Sequence, residues 1–459
     1  TGSRVAVTEG NGHRIRSVGA DGIIRTVAGK GRPWCQRAND LPSNVCVNTP
    51  SGIAVSPNGD VFYLANAFYT YNDGNVSRGG IFKITRDIPS FLGEEIIIPA
   101  SGSDQLYIFN QQGRHLRTVD SVTGVTLYTF RYETYGVQNY LVEIEDLNGE
   151  VTTIERDPLS GEPIAIVGPY GQRTELELTN GYLTKVTNPA EEPILLTYSP
   201  DGLLTSMTSP REYTWTYQYY DDGRLMLDSQ PEEIGGFKAL TRSESADGYV
   251  ATLATAEGYL TTYEVEQTLD GERIWTNTFP GNVTNQVVYY EDGSQVTTYA
   301  DGTTVTVERE PDPRFGMLSP IASSTEVTTP GGLTYSTTIA STVSLEDPGN
   351  LLAVETITDT VSVNGQTYTT VYDQEQNQVT YTTPEGRQAV AMLDELGRVV
   401  SEQVAGLEPI FYGYDGHGRL ETITLGEGEA AREYTVIYNV AGYVEKIIEP
   451  LLDDGSSAP

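Results

Sequence analysis

The sequence Tyr-Asp-Gly-His-Gly-Arg-Leu at residues 414–420 places a tyrosine before a glycine-rich turn and an apolar residue after it. Similar segments occupy residues 198–204 (Tyr-Ser-Pro-Asp-Gly-Leu-Leu), 220–225 (Tyr-Asp-Asp-Gly-Arg-Leu) and 438–444 (Tyr-Asn-Val-Ala-Gly-Tyr-Val). Tyrosine favours strands, and glycine adopts the positive φ that sharp turns need. Each segment therefore predicts a β-hairpin.

The spacing of these hairpins is regular. Gly181, Gly202 and Gly223 follow one another at steps of 21 residues, and Gly397 and Gly418 are 21 residues apart as well. A fixed period of roughly this length indicates one supersecondary unit that repeats, and a lone hairpin is only marginally stable in water. The units must stack edge to edge, which predicts an all-β fold. The residues expected to carry the repeat, all in structural roles, are Tyr198, Gly202, Tyr220, Gly223, Arg224, Leu225, Tyr414, Asp415, Gly418, Arg419, Leu420, Tyr438 and Gly442.

Turn signals separate the predicted strands. Asn, Asp or Glu stands directly before glycine at many of these points, and such pairs favour tight primed hairpin turns. Most of the pairs are therefore expected to form such turns. They are 58–59, 148–149, 180–181, 201–202, 222–223, 247–248, 292–293, 301–302, 364–365 and 385–386.

The repeat also carries a family resemblance. Tyr414-Asp415 with Gly418-Arg419-Leu420 resembles the YD repeat of Rhs proteins and teneurins. Residues 105–116 (Gln-Leu-Tyr-Ile-Phe-Asn-Gln-Gln-Gly-Arg-His-Leu), followed by 123–130, resemble the start of bacterial teneurin-like shells. The resemblance implies a hairpin spiral, or β-shell, over residues 99–448. The composition of residues 449–459 predicts a linker-like tail.

A second resemblance precedes the shell. Residues 11–18, 22–29 and 50–63 are similar to the NHL repeat, which forms a blade of a β-propeller. Teneurin-like chains carry such a propeller directly before the YD shell, so partial NHL-type blades are expected over residues 1–98. A closed propeller needs more than the roughly two blades visible here, and the chain is therefore expected to be part of a larger parent.

The charge balance limits the possible partners. The chain has 63 Asp and Glu against 28 Lys and Arg, a formal charge of −35, which would repel nucleic acid and anionic lipid. Its apolar runs are far shorter than the roughly 18 residues needed to span a bilayer, so no membrane insertion is expected in this segment. A solvated surface that resists edge-to-edge aggregation explains the acidity. Calcium bound at Asp-rich turns is the alternative, and no other cofactor is indicated.

Few residues carry reactive chemistry. Ten residues separate Cys35 from Cys46, and a disulfide between them would suit an extracellular protein; two free thiols are the alternative. His13, His115 and His417 lie in separate repeats, which argues against a metal site or a catalytic triad. Acidic pairs such as Asp221-Asp222 and Glu232-Glu233 are numerous enough to arise by chance, so no catalytic residue is predicted.

The resemblance implies a non-enzymatic structural module that is secreted or displayed at the cell surface. It would form part of a shell wall around a passenger polypeptide, as in polymorphic toxin carriers, or would contact a surface receptor. A glycan- or protein-binding adhesin is the alternative, and a secreted hydrolase ranks last. The chain has 30 tyrosines, and many fall inside predicted strands, where cross-strand aromatic pairs stabilise sheets. Their placement favours a structural role over a sugar-binding platform.

Overall fold

The computed structural model describes residues 5–9, 13–18, 24–28, 47, 50, 52–55, 61–71, 74–84, 91–92, 95–100, 104–269, 271–347 and 350–450. These residues form almost entirely antiparallel β-structure, and the one helical segment among them is the short 3₁₀ turn Gly428–Ala430. The all-β prediction is confirmed.

The first four strands have four or five residues each, and the strands after residue 104 follow one another closely. The strands up to residue 255 are β1 Val5–Glu9, β2 Arg14–Val18, β3 Ile24–Ala28, β4 Gly52–Val55, β5 Val61–Tyr71, β6 Gly74–Ile84, β7 Phe91–Leu92, β8 Glu95–Pro99, β9 Gln105–Asn110, β10 His115–Asp120, β11 Thr126–Tyr135, β12 Gln138–Asp146, β13 Val151–Arg156, β14 Pro163–Val167, β15 Arg173–Thr179, β16 Tyr182–Thr187, β17 Pro193–Tyr198, β18 Leu204–Thr208, β19 Thr214–Tyr219, β20 Leu225–Ser229, β21 Phe237–Glu244 and β22 Gly248–Thr255.

The remaining strands are β23 Leu260–Gln267, β24 Arg273–Phe279, β25 Val283–Tyr289, β26 Gln295–Thr298, β27 Thr304–Asp312, β28 Gly316–Thr328, β29 Thr334–Leu345, β30 Val354–Val363, β31 Gln366–Asp373, β32 Gln378–Thr382, β33 Gln388–Leu393, β34 Val399–Val404, β35 Ile410–Tyr414, β36 Leu420–Leu425, β37 Arg432–Tyr438 and β38 Val444–Ile448. Many are rich in Val, Ile, Thr and Tyr, which pack well on a pleated surface.

The chain divides into two compact units. The first comprises Thr1–Phe91, Val265–Trp275 and Asn285–Thr338. Its described strands include two three-stranded antiparallel sheets, β1-β2-β3 and β4-β5-β6, and a series of hairpins from β25 to β29. Ile15, Ala28, Val47 and Tyr63 form a buried cluster in this unit. The assignment of residues 1–98 to NHL-type blades stays a prediction.

The second unit comprises Leu92–Glu264, Thr276–Thr284 and Ile339–Pro459. Two series of consecutive antiparallel strands form it, with each strand paired to the next. The first series runs from β8 to β22, and the second runs from β30 to β38. A buried cluster of Val354, Ile357 and Tyr372 packs with half-buried Val122 from the other series.

Most hairpins in this unit close with the same five-residue turn. In residues 415–419 the backbone N–H of Asp415 donates to the carbonyl of Arg419, and the N–H of Gly418 donates to the carbonyl of Asp415, both at 2.9 Å. Gly418 has a φ of 74°, as expected of the left-handed position that follows a type I turn in this class of hairpin. The same pair of bonds closes turns 110–114, 146–150, 168–172, 188–192, 199–203, 209–213, 220–224, 394–398 and 439–443.

Most of the described pairs lie in hairpin turns, as predicted, but the primed turn type expected for them is wrong in most cases. Only glycine has a positive φ at 201–202 and 222–223, for example, because these glycines occupy the fourth position of a five-residue turn. The prediction holds at Asn180-Gly181 and Asn364-Gly365, where both residues have a positive φ. Asn58-Gly59 lies outside the described residues. An Asn-Gly or Asp-Gly dipeptide alone cannot distinguish a two-residue primed turn from the five-residue turn. The residue that begins the five-residue turn lies three positions before its glycine, outside the dipeptide.

Candidate functional site

One face of the sheet from β13 to β19 is apolar. Cross-strand partners share a face, and the register pairs Ile154 with Ile166, Leu176 with Val186, Val186 with Ile194, and Met207 with Trp215. None of these residues is fully buried, and Ile166 and Ile194 are 39% and 37% exposed, so no sheet among the described strands packs tightly over them. We call this surface the apolar face. Its residues are Ile154, Ile166, Leu176, Val186, Ile194, Leu196, Met207 and Trp215.

The opposite face of the same strands is polar. Arg173 lies 2.7 Å from Glu155, and Lys185 lies 2.7 Å from Glu177, in each case across neighbouring strands. Further along the sheet the Thr197 hydroxyl lies 2.6 Å from that of Ser206. The two faces therefore differ in chemistry: one offers mainly hydrocarbon, and the other offers mainly charges and hydroxyls, although Ala165 and Leu195 also lie on it.

Tyrosines tie successive turns together along the edge of the sheet. The Tyr198 hydroxyl donates to the carbonyl of Leu183 at 2.9 Å, and the Tyr414 hydroxyl donates to that of Val399 at 2.8 Å. In both cases the acceptor follows the turn of the preceding hairpin. A β-bulge immediately before each tyrosine shifts the strand register locally. Such a bulge changes the direction in which a neighbouring side chain points. Each bond thus forms a strap between neighbouring repeats.

The same strap recurs in the other predicted repeats. Tyr438 donates to the carbonyl of Leu420 at 2.8 Å. In the repeat around Gly223 the donor is Tyr219, which binds the carbonyl of Leu204 at 2.7 Å. Tyr220, which the sequence pattern identified as the tyrosine of this repeat, occupies the first position of the turn and donates to the carbonyl of Leu240.

An aspartate–arginine pair holds the turns of the later repeats. The Asp415 carboxylate accepts from the backbone N–H groups of His417 and Arg419, and its second oxygen accepts from Arg419 Nε at 2.8 Å. The Arg419 guanidinium then lies 4.2 Å from the ring centre of Tyr438, in the next repeat. One aspartate therefore orders both its own turn and the cation that covers the following tyrosine.

Asp394 and Arg398 repeat this arrangement one hairpin earlier. Arg398 Nε donates to Asp394 at 2.8 Å, and the guanidinium lies 4.3 Å from the ring centre of Tyr414. Burial, the largest single effect, raises the pKa of the Asp394 carboxyl. The hydrogen bonds from the Arg398 side chain and from the N–H groups of Arg398 and Leu396 outweigh it, so the net pKa is lowered.

The two series of the second unit meet along a seam of turns. We define the seam as turns 394–398, 415–419 and 439–443 together with turns 120–125, 146–150 and 168–172. Arg398 Nη1 donates to Asn148 at 3.2 Å, and Gln172 Nε2 donates to the carbonyl of Ala441 at 2.8 Å. Sequence reasoning did not identify these contacts, which join residues about 250 positions or more apart.

The middle of the seam contains a histidine. His417 Nδ1 lies 2.6 Å from the Glu150 carboxylate, and the ring of His417 lies 5.7 Å from that of Tyr170. Arg419 lies 5.4 Å from the same tyrosine ring. Asp415, Gly418 and Arg419 of the predicted motif are thus brought together at the seam.

The other histidines lie elsewhere. His115 lies against the rings of Phe109 and Phe130, at 4.8 and 4.2 Å between centres, and its Nε2 lies 3.1 Å from the Arg117 carbonyl. Burial lowers the pKa of His115. His13 occupies a turn with a φ of 52°. Within the described residues no three His, Cys, Asp or Glu side chains form a group that could hold a metal ion.

Some predicted features lie outside the described residues. These are Cys35, Cys46 and the tail from 451 to 459, so their disulfide and linker assignments stay predictions. No helix in the part of the chain that the structure describes has the length and apolar character to cross a membrane.

Comparison with known proteins identifies the repeat array. A family model described as the teneurin YD-shell matches residues 93–447. Teneurin-3 of Mus musculus is 34% identical over 198 residues, which are 40% of this chain and 7% of that protein. Teneurin-1 of Gallus gallus is 28% identical over 336 residues, which are 70% of this chain and 12% of that protein. The chain thus corresponds to about a tenth of the length of these relatives.

Solved structures give a weaker likeness. The crystal structure of TcdB2-TccC3-Cdc42 aligns at a TM-score of 0.42 and 10% identity, over 85% of this chain and 26% of that one. The structure of TcdB2-TccC3 without its hypervariable C-terminal region aligns at 0.42 and 11%, with the same coverage. The family match rests on most of the chain and covers the straps and the seam. The chain belongs to the teneurin YD-shell family, and its repeat array is a structural shell module rather than an enzyme.

Proposed function

We propose that residues 99–448 form part of the wall of a shell that encloses a passenger polypeptide belonging to the same, larger parent protein. The observation that carries the proposal is the apolar face, which extends over successive strands without a tightly packed cover. Apolar surface left in water costs about 25 cal/mol per Å², and contiguous exposed apolar surface marks interaction sites. The polar face of the same strands suits contact with solvent.

The two-faced sheet favours a polypeptide as the enclosed partner. The apolar face offers hydrocarbon side chains and few fixed polar groups, which suits an unfolded or extended chain better than a small molecule that needs oriented hydrogen bonds. Residues 1–98 would supply NHL-type propeller blades before the wall. Membership of a family of cell-surface proteins supports an extracellular location for the parent.

Site-specific photocrosslinking in the full parent protein tests the passenger proposal. A benzophenone amino acid would replace Ile166 or Ile194 on the apolar face, and Glu177 or Thr197 on the polar face as matched controls. We expect the apolar-face probes to crosslink to a segment outside residues 93–447 and the polar-face probes to give no such product. Equal crosslinking from both faces, or from the polar face alone, would overturn the proposal.

The extracellular location has its own test. Intact cells that express the parent would be treated with a protease that cannot cross the membrane, and the fragments would be mapped by mass spectrometry. Cleavage at exposed turns of this chain supports surface display or secretion. Complete protection, with cleavage only after lysis, contradicts it.

A further inference from the structure

One hairpin tip carries the acceptor pattern for an N-linked glycan. The loop of residues 280–282 connects β24, which ends at Phe279, with β25, which begins at Val283. Its last residue begins the sequence Asn282-Val283-Thr284, which matches the pattern Asn-x-Ser/Thr with a residue other than proline in the middle. The only other match in the sequence is at residues 75–77, whose side chains lie outside the described residues.

The acceptor is accessible at the end of this hairpin. Asn282, Val283 and Thr284 are all exposed to solvent. A Cβ built on Gly281 would meet no atom of the described residues within 4 Å, apart from its chain neighbours. Gly281 and Asn282 have φ values of 83° and 60°, so the chain reverses here through left-handed positions that glycine and asparagine tolerate. The amide and the hydroxyl that a transferase must reach are therefore open in the folded hairpin.

The charge of this tip suits the sugar donor. Donors for this reaction carry the oligosaccharide on an anionic lipid diphosphate, which acidic side chains would repel. Residues 279–283, Phe-Pro-Gly-Asn-Val, contain no charged residue. The next two turns along the chain, 290–294 and 299–303, contain Asp292 and Asp301. The acceptor thus lies at a tip without the acidic side chains of the turns that follow it.

The residues around the acceptor leave apolar surface at the tip. Phe279 is 36% exposed, and Val283 is 46% exposed. Apolar surface in water is unfavourable, and a pyranose ring presents a face of C–H groups that packs on apolar side chains. A first sugar on Asn282, next to Val283 and three residues after Phe279, would cover part of this surface.

We propose that Asn282 carries an N-linked oligosaccharide, which a transferase adds from a polyisoprenyl diphosphate donor. Asn282 Nδ2 forms a bond to C1 of the first sugar as the bond between C1 and the diphosphate oxygen breaks. The amide nitrogen loses one proton to a base of the transferase, and the lipid diphosphate leaves. The Thr284 hydroxyl positions the acceptor in the transferase. Such a modification rests on the extracellular location proposed above, because these donors serve secreted and surface proteins; it does not require a passenger.

Mass spectrometry of the full parent protein, recovered from outside the cells that produce it, tests the site. The protein would be treated with peptide-N-glycosidase in heavy-oxygen water, which converts a glycosylated asparagine into a labelled aspartate, and then digested with trypsin. Asn282 lies in the tryptic peptide 274–309. We expect a labelled aspartate at position 282, and a glycopeptide of the same sequence in the untreated sample.

Two asparagines of the same peptide serve as internal controls. Asn277 and Asn285 lack Ser or Thr two positions later, so label on either would reveal spontaneous deamidation. Thr284→Ala should abolish the label at Asn282, and Thr284→Ser should keep it. Because residue 284 is exposed, both variants should fold like the original chain.

The outcomes separate the glycan from the location. Unlabelled Asn282 in extracellular parent protein would overturn the glycan and leave the location intact. Label that persists in the Thr284→Ala variant would also overturn the glycan, because it would show a different reaction at this amide. A parent protein found only inside the cells, with Asn282 unlabelled, would overturn both proposals.

Discussion

The YD hairpins before residue 225 and those after residue 394 build the same strap with different neighbours. In the later stretch Arg398, held by Asp394, covers the Tyr414 ring. In the earlier stretch Tyr182 takes the place of the arginine and stacks on Tyr198 with 5.1 Å between ring centres. Both tyrosines still bind a backbone carbonyl 15 residues earlier.

The comparison separates what the repeat requires from what it tolerates. The strap and the left-handed turn position are present in both stretches, whereas the group that covers the tyrosine is a cation in one and an aromatic ring in the other. Contact across the seam involves the turn glycines of the later stretch, while Gly223 in the earlier stretch has open space around it. Substitutions can test each of these distinctions.

The largest effect is expected from adding a methyl group at the seam. Gly442→Ala should lower the free energy of unfolding by about 2 to 4 kcal/mol, because it combines left-handed strain with overlap on Tyr170. Gly223→Ala is the matched control: it has the same positive φ but no atom within 4 Å, so it should cost only about 1 kcal/mol. Urea denaturation of the chain measures both. Equal costs would show that the seam contributes no steric constraint.

Removal of the strap should have a similar effect in both stretches. Tyr198→Phe and Tyr414→Phe each delete one hydroxyl and leave a carbonyl without its partner, at a cost of about 1 kcal/mol. Denaturation midpoints of the two variants give the comparison. A large loss at one site with none at the other would mean that the strap is not a common element of the repeat.

The aspartate–arginine pair should make the later stretch acid-sensitive. Because the pKa of Asp394 is lowered in the folded state, its contribution is complete above its unfolded pKa, about 3.9, and is lost as the pH falls through the lowered folded value. Asp394→Asn should therefore cost about 0.5 to 1 kcal/mol at pH 7 and progressively less below about pH 4. Unfolding measured from pH 7 to pH 2.5 checks this. A cost that stays constant with pH would assign the loss to packing instead.

The smallest effect is expected from exchanging the residue that packs on the strap tyrosine, which is Tyr182 in the earlier stretch and Arg398 in the later one. Tyr182→Arg places the later stretch's residue over Tyr198, and the free energy of unfolding should change by less than about 0.5 kcal/mol. Tyr182→Ala, which removes the cover, serves as the reference and should cost more. If the arginine variant were as unstable as the alanine variant, the covers would not be interchangeable.

Local repetition made much of the fold predictable. The 21-residue period and the tyrosine–glycine spacing predicted hairpins that pair in sequence, and the structure has them. The pattern pointed to Tyr220 in the repeat around Gly223, but the bulge before Tyr219 places the Tyr219 hydroxyl in the strap. A tyrosine four positions before the glycine, as at Tyr198 and Tyr414, would have identified Tyr219.

The contacts along the seam could not be predicted from the sequence, for a different reason. Asn148 and Arg398 are 250 positions apart, and neither lies in a sequence motif that indicates which residue it contacts. The order of strands along each series follows from short loops, but the register between two series depends on how far each strand is staggered against the next. That stagger accumulates over many hairpins and leaves no signal in any one of them.

The acceptor of the tyrosine strap is a main-chain carbonyl, so the side chain at that position is free to vary; Leu183, Leu204, Val399 and Leu420 all serve. A newly duplicated hairpin would find its acceptor already present on whatever repeat precedes it. The strap itself therefore requires no compensating change when such a repeat array grows by tandem duplication.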